Sequence, residues 1–310
     1  MLVGPCASDA LRFDRWRQSV GGRALLLRSL CLLGICLASG AAAPASASAA
    51  GKRDATNSRA ARRDAIQSMP LEKLDPKLRE KVTSVTSRPS IYRRLPIQVI
   101  DCDPSLYLFL IRNPEVVVNI WEVMGISKVE LTRTGPDTFR ATDGAGTTGV
   151  VKYCYSDHDT HLVYAEGSYE GPMFSKPLRA RCVLLLKSGY MQETNDRHYV
   201  TSRLDAFIHI EHVGVDLLAK TLHPLVTKSA DYNFTETTAF LSSVSRTAEL
   251  NSRGMLRLAG KLTRLEPDVR KQFGELTTEV AKKAADRNAT AAATKGLMQA
   301  KAATVQGKER

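Results

Sequence analysis

Residues 213–250 constrain this chain more than any other stretch. Leu217, Leu218, Leu222, Leu225, Val226, Phe234, Phe240, Leu241 and Val244 recur mostly at spacings of three, four and seven, which gathers them on one helical face. A face of that length costs free energy in water and needs an apolar surface to lie on. The residues just before it read as strands, so the helix has a sheet to cover.

The strands follow from a period of two beginning at Ser127. Val129 and Leu131 alternate with charge, and Thr134-Gly-Pro-Asp137 turns into Phe139 and Ala141. The turn Asp143–Thr148 leads to Gly149–Tyr155, and the polar corner Ser156–Thr160 to His161–Tyr169. After a loop at 170–175, Leu178, Ala180, Cys182, Leu184 and Leu186 alternate with Arg179, Arg181 and Lys187. The last strand places Val200, Ser202, Leu204, Ala206, Ile208 and Ile210 on one face, and Arg203, Asp205, Phe207, His209 and Glu211 on the other.

Upstream, Asp75-Pro76 reads as a cap and first helical residue for a helix to about Thr86. A strand at Leu95–Asp101 follows. Asp103-Pro104 and Asn113-Pro114 cap two short helices, the second ended by Gly125. His223-Pro224 and Tyr232-Asn-Phe-Thr235 predict breaks in the long helix. Ser252 and Pro267 open two further helices.

Residues 1–50 are set aside as a leader. Arg12, Arg15, Arg17 and Arg23 precede the apolar run Ser29–Ala43 and the small residues of 44–50, the layout of a secretory signal peptide. The run is short of the ~20 apolar residues that a spanning helix needs. The expectation is export to a bacterial periplasm or cell envelope, with cleavage near residues 43–50. Residues 51–70 are polar and read as a flexible linker, 71–94 as a short helix and connector, 95–250 as the main domain, 251–285 as C-terminal helices, and 286–310 as a disordered Ala/Lys-rich tail. Outside the leader three cysteines remain, Cys102, Cys154 and Cys182. Their number is odd, and the last two sit among apolar neighbours, so buried thiols are expected.

The net charge of +12 favours anionic partners at long range. The Lys and Arg residues are scattered, and no recognition helix, zinc-finger spacing or aromatic RNA-binding signature accompanies them. No nucleic-acid partner is expected, and at most peripheral contact with an anionic envelope surface. No cofactor or metal is called for. Gly144-Ala-Gly-Thr-Thr-Gly149 spells G-x-G-x-x-G, but strands flank it on both sides, so it reads as a hairpin turn. Asp157-His-Asp-Thr-His161 lies at a predicted hairpin tip, where Asp serves the turn itself.

The element order is one strand, two short helices, six antiparallel strands and a long helix. It resembles the START and Bet v 1-like helix-grip superfamily, of polyketide cyclase and lipid-transport type, over Leu95–Leu250. Leu95-Pro-Ile-Gln-Val-Ile-Asp-Cys-Asp103, Arg133-Thr-Gly-Pro-Asp-Thr-Phe-Arg140 and Tyr164-Ala-Glu-Gly-Ser-Tyr-Glu-Gly-Pro172 also look like an uncharacterised exported bacterial family, which lends no activity. The fold expected is α+β, a curved antiparallel sheet of about seven strands gripping a long C-terminal helix, with extra helices after it.

That resemblance implies a non-catalytic protein that binds an apolar or amphipathic small molecule or lipid between sheet and helix. Trp121, Tyr153, Tyr164 and Phe240 are the candidate walls, and Arg181 or His209 would orient a polar end. One alternative is a cyclase- or hydratase-type enzyme using His209 with Asp205 or Glu211, if that face of the last strand is concave. If it is convex, it is the wet side of the sheet. A second alternative is a structural or interaction protein of the cell envelope with a filled core.

Overall fold

The period-two segments pair into an open, wholly antiparallel sheet. The computed structural model describes residues 55–171, 176–212, 214, 217, 220 and 222–308. The leader, Leu218 and the 172–175 part of the expected loop lie outside them. The strands are β1 (Ile91–Arg94), β2 (Gln98–Asp101), β3 (Glu130–Gly135), β4 (Thr138–Thr142), β5 (Thr147–Ser156), β6 (Thr160–Tyr169), β7 (Leu178–Gln192) and β8 (His198–Ile210). Their order is β1-β8-β7-β6-β5-β4-β3, with β2 also on β8. β1 and β2 thus make one edge strand broken at Pro96, whose missing N–H cannot join a ladder. The sequence predicts only a connector at β1, because Pro89, Arg93, Arg94 and Pro96 hide a four-residue strand.

Seven α-helices complete the described chain. α1 (Arg59–Gln67) and α2 (Pro76–Ser87) precede the sheet. α3 (Pro104–Arg112) and α4 (Pro114–Val123) lie between β2 and β3, and α5 (His223–Leu250), α6 (Ser252–Lys261) and α7 (Pro267–Lys308) follow β8. Asp75 and Asp103 cap as expected: the Asp75 carboxylate accepts from Leu78 N at 2.9 Å, and that of Asp103 from Ser105 N and Leu106 N. Asn113 does not cap. Its amide donates to Phe109 O at 2.9 Å and its oxygen accepts from Arg133 at 3.0 Å. Arg133 also bonds Glu115, so one guanidinium ties the start of α4 to β3.

The break expected at Tyr232–Thr235 is absent, whereas most residues just before His223-Pro224 lie outside the described ones. α5 begins at His223 with Pro224 in its first turn, where a proline needs no N–H partner and its fixed φ suits the helix. The chain then runs helical through Tyr232–Thr235 to Leu250. Gly125, at φ +67°, follows α4 as expected. In the β4–β5 hairpin turn Gly146 sits at φ +107°, where an added Cβ would lie 2.2 Å from Glu170 O. Both the dihedral and the space demand glycine there.

The sheet has two apolar faces and both are covered. Phe139, Val151, Val163, Ala165, Cys182 and Ile208 form an inner core with Val226 of α5 and Val118 of α4. On the outer face Tyr92, Leu162, Tyr164, Val183, Leu185 and Phe207 pack against Ala61 and Ala65 of α1 and Val82 and Val85 of α2. Residues 59–67 are therefore a docked helix where the sequence predicts a flexible linker. Its small alanine face carries little apolar signal, yet it fits closely against the strands. The C-terminal helices form a third cluster with α3 and α4, in which Phe109 stacks on Phe273 at 6.2 Å. α7 continues to Lys308, past the point where fraying is expected.

Candidate functional site

The inner face of the sheet and α5 do not meet along their whole length. The gap is a cavity of about 210 Å³. Leu184, Ala206 and Ile208 line it from the sheet, Trp121 from α4, and Val226, Ala230, Asn233, Thr237 and Leu241 from α5. The α5 residues recur at three and four, so one helical stripe supplies a whole wall. Arg93 of β1 pairs with Asp231 on α5. Gln98 of β2 donates to Thr235 at 3.3 Å, and Ser242 donates to Asp101 O at 3.1 Å. These contacts hold α5 along the edge strand and fix that wall.

Two of the six expected ligand residues line this cavity. Trp121 closes it from α4 and meets Phe240 edge-on at 5.7 Å. Tyr153 faces it from β5, with its hydroxyl donating to Ile111 O at 2.5 Å. Burial pushes this phenol well above its ordinary value, so it is neutral and its proton is engaged. Phe240 itself borders a different depression of about 630 Å³ on the far side of α5, whose lining includes Gln98, Ser242, Ser243 and Arg246. Met124, Val244, Met255 and Leu258 line the same groove, so its surface mixes apolar and polar groups.

Tyr164, Arg181 and His209 do not reach the cavity. They belong to the outer face, under α2: Lys81 stands over the Tyr164 ring, Arg181 bonds Ser84, and His209 Nδ1 lies 3.1 Å from Arg88 O. The face bearing Arg203, Asp205 and His209 is thus not a cavity lining but the outer side of the sheet, which helices cover in part: Asp205 and Phe207 are buried, Arg203 and His209 half-buried. Nor does it bring the proposed acid–base partners together. Asp205 accepts from Tyr92 and Arg94 at 2.7 Å, and Glu211 pairs with Arg181 at 3.2 Å.

Sequence reasoning missed Asn233 and Thr237, the polar groups of the α5 wall, since Tyr232–Thr235 read as a break. Their signal was the spacing from Val226 through Ala230 to Leu241. Cys182, expected as a buried thiol, lines the cavity, and burial pushes it up to about 12. It points inward while Cys154 packs outward. All three described cysteines are free.

The Asp157–His161 cluster serves its hairpin tip. Asp157 accepts from the backbone N–H groups of Asp159 and Thr160 and from the Tyr155 hydroxyl. His161 is only 1% exposed, with Nδ1 2.7 Å from Ser156 Oγ. Burial, and then the Arg112 charge, lowers it to about 4. The fold therefore holds the neutral imidazole, and unfolding below the ordinary value near 6.5 takes up a proton. Stability from this residue is complete above pH 6.5 and is lost as pH falls to about 4, by roughly 3 kcal/mol in all. Urea unfolding of wild type and His161→Gln at pH 7 and pH 4.5 checks this. The gap between the two proteins should shrink at the lower pH, and an unchanged gap would contradict it.

Among the described residues no helix is long and apolar enough to cross a membrane. No group of three or more His, Cys, Asp or Glu is placed to hold a metal ion.

No protein-family profile matches the chain, and no curated protein matches it. Among similar solved structures, a conserved protein from Geobacillus kaustophilus is 10% identical over 46% of this chain and 93% of its own, with a TM-score of 0.29. Apo dicamba monooxygenase is 12% identical over 62% of this chain, with a TM-score of 0.28. The same enzyme with non-heme iron and dicamba is 13% identical over 67%, also at 0.28. The chain spans 59% and 61% of those two chains. Overlap at this level carries no argument about activity.

Proposed function

We propose that this protein is an exported, non-catalytic carrier or receptor that buries a small apolar or amphipathic molecule between its sheet and α5. The observation that carries the reading is the cavity itself, roofed by one stripe of α5 and floored by apolar residues of β7 and β8. Element order supports it. An edge strand, two short helices, six further antiparallel strands and the long helix α5 after the last of them follow the helix-grip arrangement of START and Bet v 1-like proteins. Export rests on the basic, apolar and small-residue layout of residues 1–50.

Trp121 is the only tryptophan among the described residues and lines the cavity, so it reports occupancy. Iodobenzene should quench its emission saturably, because a heavy atom held in the cavity touches the indole. Ala206→Phe fills the floor from β8 and should weaken that binding at least tenfold while the protein stays folded. Equal quenching in both proteins would sink the reading.

A further inference from the structure

Among the described residues, no side chain that lines the cavity is charged at neutral pH. Its two titratable groups, Tyr153 and Cys182, are both held neutral by burial. Nearby arginines are already paired elsewhere, Arg93 with Asp231 at the edge and Arg94 with Asp205 on the outer face. A carboxylate or phosphate drawn inside would meet no cation, and an unpaired buried charge is far too costly to retain.

The polar capacity lies on one side. Thr237 and Asn233, the latter already engaged in one other contact, stand one turn apart on α5, whereas Leu184, Ala206 and Ile208 opposite them are hydrocarbon. The Tyr153 proton is committed to Ile111 O. Size sets a further limit. The volume of about 210 Å³ exceeds the roughly 150 Å³ cavity known to accept benzene. It falls short of the roughly 300–1,000 Å³ typical for drug-sized ligands.

From these features, and resting on the ligand-binding reading above, we infer that the cavity selects an uncharged molecule of one or two rings bearing a single hydroxyl, carbonyl or amide group. That group faces Asn233 and Thr237, and the ring body lies against β7 and β8. A two-chain lipid and a free fatty-acid anion are both excluded.

Calorimetric titration of the full chain at pH 7 with 2-naphthol, naphthalene and 2-naphthoate tests this. 2-Naphthol should bind at least tenfold more tightly than 2-naphthoate and several-fold more tightly than naphthalene. Asn233→Leu should erase the advantage over naphthalene while leaving naphthalene affinity within about twofold. Thr237→Val, nearly isosteric, should reduce the same advantage if the leucine variant fails to fold. Naphthoate binding as tightly as naphthol would overturn the inference, as would an advantage over naphthalene that survives both variants. If none of the three probes binds, the ligand-binding role itself fails and takes this inference with it.

Discussion

Replacing Asp205 by alanine is expected to cost about 3–5 kcal/mol, because it breaks a buried charge pair by removing one partner. The side chain is fully buried, and Arg94 beside it is 16% exposed. One carboxylate oxygen accepts from Tyr92 Oη and Arg94 Nε at 2.7 Å, and the other from Arg94 Nη2 at 3.2 Å. Arg94 in turn reaches Asp64 at 2.7 Å and Ala61 O at 3.1 Å on α1. The alanine variant leaves the Tyr92 hydroxyl without this acceptor and Arg94 with the half-exposed Asp64 as its remaining anion, at the junction that seats α1 on the sheet. Burial and the Asp205 carboxylate both push the Tyr92 phenol well up, so it stays a proton donor. Tyr92→Phe should therefore cost less in the Asp205→Ala background than in wild type, since the shared hydrogen bond is already gone. Urea unfolding of the four proteins measures both quantities. A loss below about 1 kcal/mol for Asp205→Ala would contradict the burial described here.

The outer cover carries the second large effect. Val82 is fully buried, and with Val85 and Leu74 it shields Leu162, Val183, Leu185 and Phe207, each wholly buried beneath it. Burying a single side chain of this kind contributes about 1.5–3 kcal/mol. Losing the cover over four of them approaches the whole stability of an ordinary domain, about 5–15 kcal/mol. Val82→Asp forces a carboxylate into that interface and should either unfold the chain or lift α2 away. Melting temperature and proteolysis near residues 70–88 distinguish these outcomes from the alternative. A variant that melts with wild type would show that α2 is a loose appendage.

How the sequence could and could not show this turns on particular residues. Alternation in β8 correctly separates Val200, Leu204, Ala206 and Ile208 from Asp205, Phe207 and His209. It cannot say what lies over the second set. The covering helix α1 offers Ala61 and Ala65 in place of a leucine stripe, so periodicity passes over it. The same parity decides the site. Val163 and Ala165 face inward, which sends Tyr164 outward; Cys182 and Leu184 face inward, which sends Arg181 outward. Aromatic or charged identity alone does not reveal that choice of face. Trp121 and Tyr153 were legible because their neighbours set the inner side. Asn233 was not, because a polar residue amid Tyr232, Phe234 and Thr235 reads as a break until the helix is seen to run through it. The long apolar stripe did find its sheet, and α5 lies along the inner face and the β1–β2 edge.

Where a bound ligand sits is the most direct question to put to this account. A crystal of the protein grown with iodobenzene locates the iodine by its anomalous scattering. The expected result is a peak between α5 and the inner face, within contact of Trp121 and Ala206. Iodine found only in the groove beside Met124 and Leu258, or nowhere on the chain, would contradict the claim that sheet and helix enclose the binding site.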